Sequence, residues 1–251
     1  MARQKGIIKL EGKIGDLSFY KTQDGHLART KGGVDKSRIA NDPAFARTRE
    51  NGAEFGRAGK GGKLIRKALR TLLQNSADNR VTSRLTKEVV KVVKADTTNA
   101  RGERTVIAGD VIKLKGFEFN KGGILSSILF SPFTASVDRP AGVLEIVIPE
   151  FTPMIAVEAP PGTTHIKIVS GGSEIKFDED DFLTDDAESA MLEWNSDPVG
   201  PITLTTNVTP ASTHPLFLVL GIEFYQEVNG EFYSLKDGKF NGLSIVELDV
   251  V

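Results

Sequence analysis

Hydrophobic and polar positions follow different periods along the chain, and each period predicts a different kind of structure. Within the first thirty residues apolar and polar positions alternate, as in LSFYKT from Leu17 to Thr22, which is typical of a β-strand. The Asp24-Gly25 pair that follows favours a tight hairpin turn, because both residue types tolerate positive φ angles. We therefore predict a small N-terminal β-hairpin.

From Asp42 onward the period becomes that of an α-helix. Asp42 is typical of an N-cap, and Pro43 is typical of the first helical position, where the missing N–H of proline breaks no hydrogen bond. Two apolar stripes with helical spacing follow, separated by the polar stretch NSADNR. The first consists of Leu64, Ile65, Ala68, Leu69, Leu72 and Leu73, and the second of Val81, Leu85, Val89 and Val92. These stripes predict a helical hairpin.

Beyond the polar connector ADTTNARGERTV, residues 95–106, the pattern becomes that of short strands. The predicted strands are 111–119, 124–130, 143–148, 165–169, 174–177, 202–208, 216–228, 231–235 and 243–250. The predicted turns are Gly122-Gly123, Gly171-Gly172, Asn229-Gly230 and Asp237-Gly238. The acidic segment 177–194 interrupts the pattern, and its apolar residues are expected to form a short helix on the sheet.

Together these patterns predict an α+β fold in two parts. Residues 1–104 form a basic β-hairpin and helical region, and residues 105–251 form an acidic antiparallel β-sandwich, Ig-like or jelly-roll-like. The charge of the chain divides in the same way: residues 1–104 hold 24 Lys and Arg against 11 Asp and Glu, a balance of +13. The remainder holds 8 against 22, a balance of −14. Opposed charges favour either a polyanionic partner or contact between copies of the chain.

Composition excludes several kinds of chemistry. The chain has no cysteine, which excludes disulfides, zinc ribbons, iron–sulfur clusters and thiol catalysis. No apolar run approaches the ~18 residues that a membrane span needs. The start MARQKGIIKLEGKIGD lacks the apolar core of a secretory signal, so the expected location is the cytoplasm or an assembled particle.

The stretch GRAGKGGKLIRK, Gly56 to Lys67, superficially resembles a phosphate-binding P-loop. A P-loop requires G-x-x-x-x-G-K-[ST] directly after a β-strand. Here Leu64 follows Gly62-Lys63, Arg57 stands where the first glycine is required, and the preceding residues have helical spacing. We therefore interpret the glycines as positions where another backbone approaches closely, either within the chain or from a second copy.

Two charged groups are the candidate interaction surface. The basic group consists of Arg57, Lys60, Lys63, Arg66, Lys67 and Arg70, and the acidic group of Asp178, Glu179, Asp180, Asp181, Asp185 and Asp186. The acidic run is not an EF-hand, because its fifth and sixth positions are Phe182 and Leu183 rather than an oxygen ligand and a glycine. The three histidines lie far apart without metal-ligand spacing, so no metal, cofactor or catalytic residue is predicted.

Two segments carry a resemblance to a known family. They are KGIIKLEGKIGDLSFYKTQDGHLARTKGGVDK and DPAFARTRENGAEFGRAGKGGKLIRKALRTLL. Together they resemble a family of uncharacterised proteins associated with Bacteroidetes genomes, with a likeness along most of the chain. The resemblance implies no activity and transfers no functional residue.

The sequence leaves two functions open. The first is a non-enzymatic structural or interaction protein that self-associates through its basic N-terminal and acidic C-terminal parts, for example as a filament or virion-like component. The second is a nucleic-acid-associated protein that binds phosphates through the basic helix at residues 57–70. No catalytic arrangement favours an enzyme, and the expected partner is a further copy or another protein, with nucleic acid as the alternative.

Overall fold

The computed structural model describes residues 2–30, 33–235 and 240–251. The chain divides into two compact units, residues 1–49 and residues 50–251, called here the N-terminal unit and the main unit. The predicted α+β class is confirmed, with an N-terminal antiparallel sheet, a helical hairpin and a sheet-rich C-terminal part. The predicted Asp237-Gly238 turn lies outside the described residues.

The N-terminal unit contains a small antiparallel sheet rather than a single hairpin. Its strands are β1 (Ala2–Arg3), β2 (Gly12–Ile14), β3 (Leu17–Thr22) and β4 (Gly25–Thr30), in the order β1-β4-β3-β2. The predicted hairpin is β3–β4, in which Thr22 pairs with Gly25. After the sheet come α1 (Lys36–Asn41) and a 3₁₀ turn (Pro43–Phe45), which begins as expected at Asp42, whose carboxylate accepts from the Ala44 amide at 2.9 Å.

The predicted helical hairpin comprises α2 (Ala46–Ala68), α3 (Arg70–Ser76) and α4 (Val81–Lys94). The division between the two units falls within α2. Nearly all residues of the two predicted stripes are buried, as expected for amphipathic helices, and Leu73 is partly buried. α4 passes close to Gly62, where a Cβ would be in ordinary van der Waals contact with the Thr86 hydroxyl at 3.6 Å and with Leu85 Cγ at 3.8 Å.

Two antiparallel sheets form the rest of the main unit. The larger contains β7 (His165–Lys176), β8 (Asp181–Glu188), β9 (Leu192–Glu193), β11 (Leu216–Val228), β12 (Glu231–Ser234) and β13 (Gly242–Asp249). In it β11 pairs with β7 on one side and with β12 and β13 on the other, and β7 pairs with β8 and β9. The smaller contains β5 (Thr134–Asp138), β6 (Val143–Ile148) and β10 (Ile202–Asn207), in the order β10-β6-β5.

The larger sheet is the middle layer of the main unit. Along β11, Leu216, Leu218 and Leu220 belong to a core shared with the smaller sheet. The intervening Phe217 and Val219 belong to a second core shared with α2, α3 and α4. Because both faces of β11 are covered, its sequence is a continuous apolar run, whereas a strand with one exposed face alternates.

The predicted turn at Gly171-Gly172 is wrong, because both residues lie inside the long strand β7. The two glycines allow close packing on opposite faces of this strand. A Cβ at Gly171 would lie 2.7 Å from Leu72 Cδ1 of α3, and a Cβ at Gly172 would collide with Thr206 of β10. Glycine is therefore required here by its small size.

Other predicted elements also differ from the structure. Segment 111–119 contains a 3₁₀ helix (Val111–Leu114) and segment 124–130 contains α5 (Leu125–Ile128) instead of strands. In each, the buried residues are three positions apart, which fits one helical turn. The acidic segment 177–194 forms β8 and β9 rather than a helix, because it pairs with β7. The sequence analysis also missed β5 and α6 (Pro153–Ala156).

The compact main unit begins earlier than the predicted division at residues 104 and 105. The helices pack their buried stripes against Phe217, Val219 and Ile245 of the larger sheet, so helices and sheet share one core. Within the described ranges, no helix is both long and apolar enough to cross a membrane.

Candidate interaction site

A cleft of about 430 Å³ opens in the main unit between α2, the connector after α4 and the turn that joins β7 to β8. Its volume lies within the range of about 300–1,000 Å³ that is typical of ligand pockets. The cleft brings together five of the twelve candidate residues from the sequence, namely Arg57, Lys60, Lys63, Asp178 and Asp180.

The floor of the cleft is apolar. Leu64 of α2 and Val106 of the connector are buried, while Phe177 is partly buried and Ile107 is half exposed. Gly61 allows these elements to meet, because a Cβ at this position would lie 3.0 Å from Val106 Cγ2 and 3.6 Å from Phe177 Cε1. The absence of a side chain at residue 61 therefore lets the connector lie close to the helix.

Lys60 and Lys63 form the basic side of the cleft. They are three positions apart in α2, so they lie on one face of the helix, and both are exposed. Arg57, on the same face, has a different role. Its Nε donates to the Arg104 carbonyl at 2.7 Å and its Nη2 donates to the Gly102 carbonyl, so its guanidinium holds the connector against the helix.

Asp178 and Asp180 form the acidic side, in the turn between β7 and β8. Asp180 has a φ of 54°, a left-handed conformation that aspartate tolerates better than most residues. Asp178 Oδ1 lies 3.9 Å from Nδ1 of His214. Both aspartates are exposed.

The two charged sides of the cleft form no ion pairs with each other among the described residues. Among the residues that the structure describes, neither Lys60 nor Lys63 has a carboxylate oxygen within 4.0 Å of its Nζ. Cations on one side of an apolar floor and anions on the other suit an occupant that carries apolar groups and both signs of charge.

The remaining basic candidates lie outside the cleft. Lys67 and Arg70 are exposed and make no ion pair with any described residue, whereas Arg66 is partly buried. The Nε of Arg66 is buried without a hydrogen-bond partner in the described part of the chain. The exposed cations Lys60, Lys63, Lys67 and Arg70 thus form a stripe along α2 and the start of α3.

The remaining acidic candidates mostly have structural roles. Glu179 pairs with Lys176 at 3.7 Å, and Asp181 begins β8. Asp185 accepts from the backbone amide of Asn207 at 2.8 Å, which links β8 to β10. The acidic run is therefore divided between the turn at the cleft and the contact between the two sheets.

Asp186 is held beside the helices. Burial raises its pKa above the ordinary range, and the neighbouring charge of Asp185 acts in the same direction, while a hydrogen bond from Thr71 of α3 partly opposes both. This carboxyl belongs to the packing of β8 against α3 and does not line the cleft.

The sequence patterns did not indicate the uncharged lining, namely Thr105, Val106, Ile107 and Phe177. A signal for the connector residues was present, because Val106-Ile107 is an apolar pair at the end of a polar segment. Nothing in the spacing indicated that this pair would contact α2, because the contact depends on Gly61.

The glycine-rich stretch and the possible metal ligands are the remaining features singled out from the sequence. The glycine-rich stretch Gly56–Lys67 is entirely helical, so its backbone amides are engaged in the helix and do not form a phosphate-binding loop. Over the described ranges, no three His, Asp or Glu side chains are grouped closely enough to hold a metal ion.

Compared with family models, with curated proteins and with solved structures, the chain matches none. The resemblance to a Bacteroidetes family therefore stays a prediction, and the case for a function rests on the chain itself.

Proposed function

We propose that this chain is a non-enzymatic structural or interaction protein that self-associates through its N-terminal unit. One observation carries the proposal. In this unit no residue of the described ranges 2–30 and 33–49 is buried, although the ranges contain a four-stranded sheet and a helix. Small sheets without a covered apolar face are marginally stable in water, so a partner surface has to supply the missing core.

One face of the N-terminal sheet carries a cluster of apolar residues, beside the polar residues Lys21, His26 and Thr30. The pairing of β2, β3 and β4 places Ile14, Leu17, Phe19 and Ala28 on the same side, since side chains alternate along each strand and paired residues share a face. Ile14 and Leu17 are exposed, and Phe19 and Ala28 are partly exposed. An apolar surface of a second copy would cover this cluster.

Charge also favours contact between copies. Residues 1–49 hold 11 Lys and Arg against 5 Asp and Glu, a balance of +6, and residues 50–251 hold 21 against 28, a balance of −7. These balances add up to the −1 of the whole chain. Opposite net charges steer the N-terminal unit of one copy towards the main unit of another. A filament or a virion-like particle is one form that such an assembly takes.

Light scattering on purified, nuclease-treated protein tests the proposal. We expect a mass above the 27.2 kDa of one chain, rising with protein concentration and falling as salt screens the opposed charges. A mass of one chain at every concentration and salt would contradict self-association.

The alternative is a nucleic-acid-associated protein, favoured by the exposed stripe of Lys60, Lys63, Lys67 and Arg70 that makes no ion pairs among the described residues. Against it, Asp178 and Asp180 lie across the cleft from the first two lysines and lower the positive potential there. The test is retention on DNA at low salt. Salt-sensitive binding that K63E/K67E/R70E abolishes would support this alternative, and indifference to DNA would exclude it.

A further inference from the structure

A short loop of the N-terminal unit is held closed by its own hydrogen bonds. Gln4 bridges the loop, since its Nε2 donates to the Leu10 carbonyl at 3.2 Å and its Oε1 accepts from the Leu10 amide at 2.9 Å. Lys9 Nζ donates to the carbonyls of Gln4 and Gly6, each at 2.6 Å. The backbone N–H of Gln4 donates to the His26 carbonyl of β4 at 2.9 Å, which fixes the loop to the sheet.

This closed loop presents two isoleucines to solvent. Ile7 is fully exposed and Ile8 is 81% exposed, which makes them an unusual apolar pair at the tip of a polar loop. The hydrogen bonds of Gln4 and Lys9 restrict the backbone of the loop, so contact with a partner would lose less conformational freedom than contact by a flexible segment. We call residues 5–11, with Ile7 and Ile8 at the tip, the isoleucine loop.

We propose that the isoleucine loop of one copy docks into the cleft of a second copy. The proposal rests on the proposed self-association and names the surfaces that make the contact. The apolar floor around Leu64, Val106 and Phe177 suits the two isoleucines, which would leave water on binding.

Charge complementarity selects this cleft as the receptor. The isoleucine loop carries the cation Lys5 before its tip and the anion Glu11 after it, so it has both signs of charge around an apolar tip, while Lys9 is engaged by carbonyls of the loop itself. The cleft also has both signs of charge around an apolar floor, with Asp178 and Asp180 on one side and two unpaired lysines on the other. The cation of the loop can therefore pair with the aspartates and its anion with the lysines. Matching of both signs fixes an orientation as well as favouring contact.

The contact joins different surfaces of the two copies. Each copy has a loop and a cleft, so a copy that docks its loop still offers its own cleft to the next one. Such head-to-tail contacts produce rings or open filaments rather than closed two-fold dimers.

The experiment compares two full-length variants by light scattering. I7S/I8S removes the apolar tip, and its matched control is Ile155→Ser, a 78% exposed isoleucine on α6 that lies outside the loop and the cleft. Ile107→Lys places a charge on the cleft floor, and its matched control is Ile112→Lys, since the two isoleucines are similarly exposed and Ile112 does not line the cleft. All five substituted positions are exposed, so folding should be preserved, and circular dichroism checks this.

We expect I7S/I8S and Ile107→Lys each to weaken association by at least about tenfold, because each disrupts the apolar centre of the contact, while both controls assemble as the native chain does. The decisive step mixes the two variants. The first retains a cleft and the second retains a loop, so the mixture should form pairs of twice 27.2 kDa that do not grow further.

The possible failures are distinguishable. If the native chain has the mass of one copy throughout, the proposed function itself is wrong. If the native chain assembles and I7S/I8S assembles equally well, self-association stands and the loop-in-cleft contact is wrong. A mixture that stays monomeric while both variants have lost assembly would also overturn this contact, because it would show that the loop and the cleft are not each other's partners.

Discussion

The main unit and the N-terminal unit differ in how far their sheets are covered by other elements. In the main unit, β7 and β11 have both faces covered, one by helices and one by the smaller sheet. In the N-terminal unit, a four-stranded sheet has no buried residue in its described part. Hydrogen bonds within a sheet do not replace a hydrophobic core, and under the proposed function contacts from another copy complete the N-terminal unit.

The largest expected effect is the difference in stability loss between two Phe→Ala substitutions, one in each unit. Phe217→Ala empties a fully buried position between the larger sheet and the helices and should destabilise the main unit by about 3–5 kcal/mol. Phe19→Ala in the N-terminal sheet should change the free energy of unfolding of dilute protein by less than about 1 kcal/mol, because Phe19 is only partly buried. Urea unfolding followed by circular dichroism measures both. Equal losses would show that the N-terminal sheet has a core of its own.

Acid should destabilise the main unit. Burial works against ionisation of Asp78, but hydrogen bonds from the Lys121 and Arg80 amides and from Arg84 outweigh it and lower the pKa of Asp78. Burial likewise opposes ionisation of Glu174, and its pKa is lowered by hydrogen bonds from Thr209 and Ser212.

A folded-state pKa below the unfolded value adds stability above that unfolded value, about pH 4, and the added stability is lost as pH falls. Burial raises the pKa of Glu118 and Asp186, which partly offsets this effect. We expect the urea midpoint to decrease below about pH 4, and Asp78→Asn to make this decrease shallower. An unchanged slope in Asp78→Asn would show that Asp78 does not contribute. In the N-terminal unit, hydrogen bonds from Ser37 lower the pKa of Asp35, but solvent weakens the effect at this exposed group.

Loss of a helix cap in the N-terminal unit should have a local effect. Asp42 accepts from the Ala44 amide and pairs with Arg38 at 3.2 Å. Asp42→Ala should make opening of residues 43–49 easier by about 1 kcal/mol. Hydrogen exchange of these amides measures the change, and Asp42→Asn, which retains a capping oxygen, is the control. A loss of stability throughout the main unit would contradict the separation of the two units.

The smallest expected effect is the difference in stability gain between Gly→Ala substitutions at two positions of α2. Nothing lies within 4 Å of a Cβ added at Gly56, so Gly56→Ala should stabilise the helix by about 0.5–1 kcal/mol. Gly61→Ala gains the same helix propensity but brings a methyl group to 3.0 Å from Val106, so its net gain should be smaller or absent. Thermal unfolding of both variants measures these gains in stability. A larger gain at Gly61 would show that its lack of a side chain does not shape the cleft.

Local patterns predicted part of this fold, and longer-range contacts decided the rest. The stripes of α2 and α4 and the Asn229-Gly230 turn were predictable because neighbouring residues determine them. Asn229 and Gly230 have φ angles of 54° and 83°, as a tight hairpin requires. Gly171-Gly172 and the acidic β8 were not predictable, because their conformations follow from contacts with Thr206, Leu72 and the edge of β7.

The candidate site shows the same division. Sequence spacing placed Lys60 and Lys63 on one helix face, and the acidic run was visible as a cluster. The sequence did not show that Asp178 and Asp180 lie across a cleft from these lysines, because the fold sets that distance. The exposed isoleucines also had no distinguishing pattern, since burial is a property of the folded chain.

Hydrogen exchange of both units in the same sample, measured across a range of protein concentrations, tests the central claim most directly. We expect amides of β7 and β11 to be protected at every concentration, because their core lies within the chain. Amides of β3 and β4 should exchange rapidly in dilute protein and become protected as concentration rises, because other copies supply their missing core. Equal protection of β3 and β4 at all concentrations, in protein with the mass of a single chain, would contradict the account.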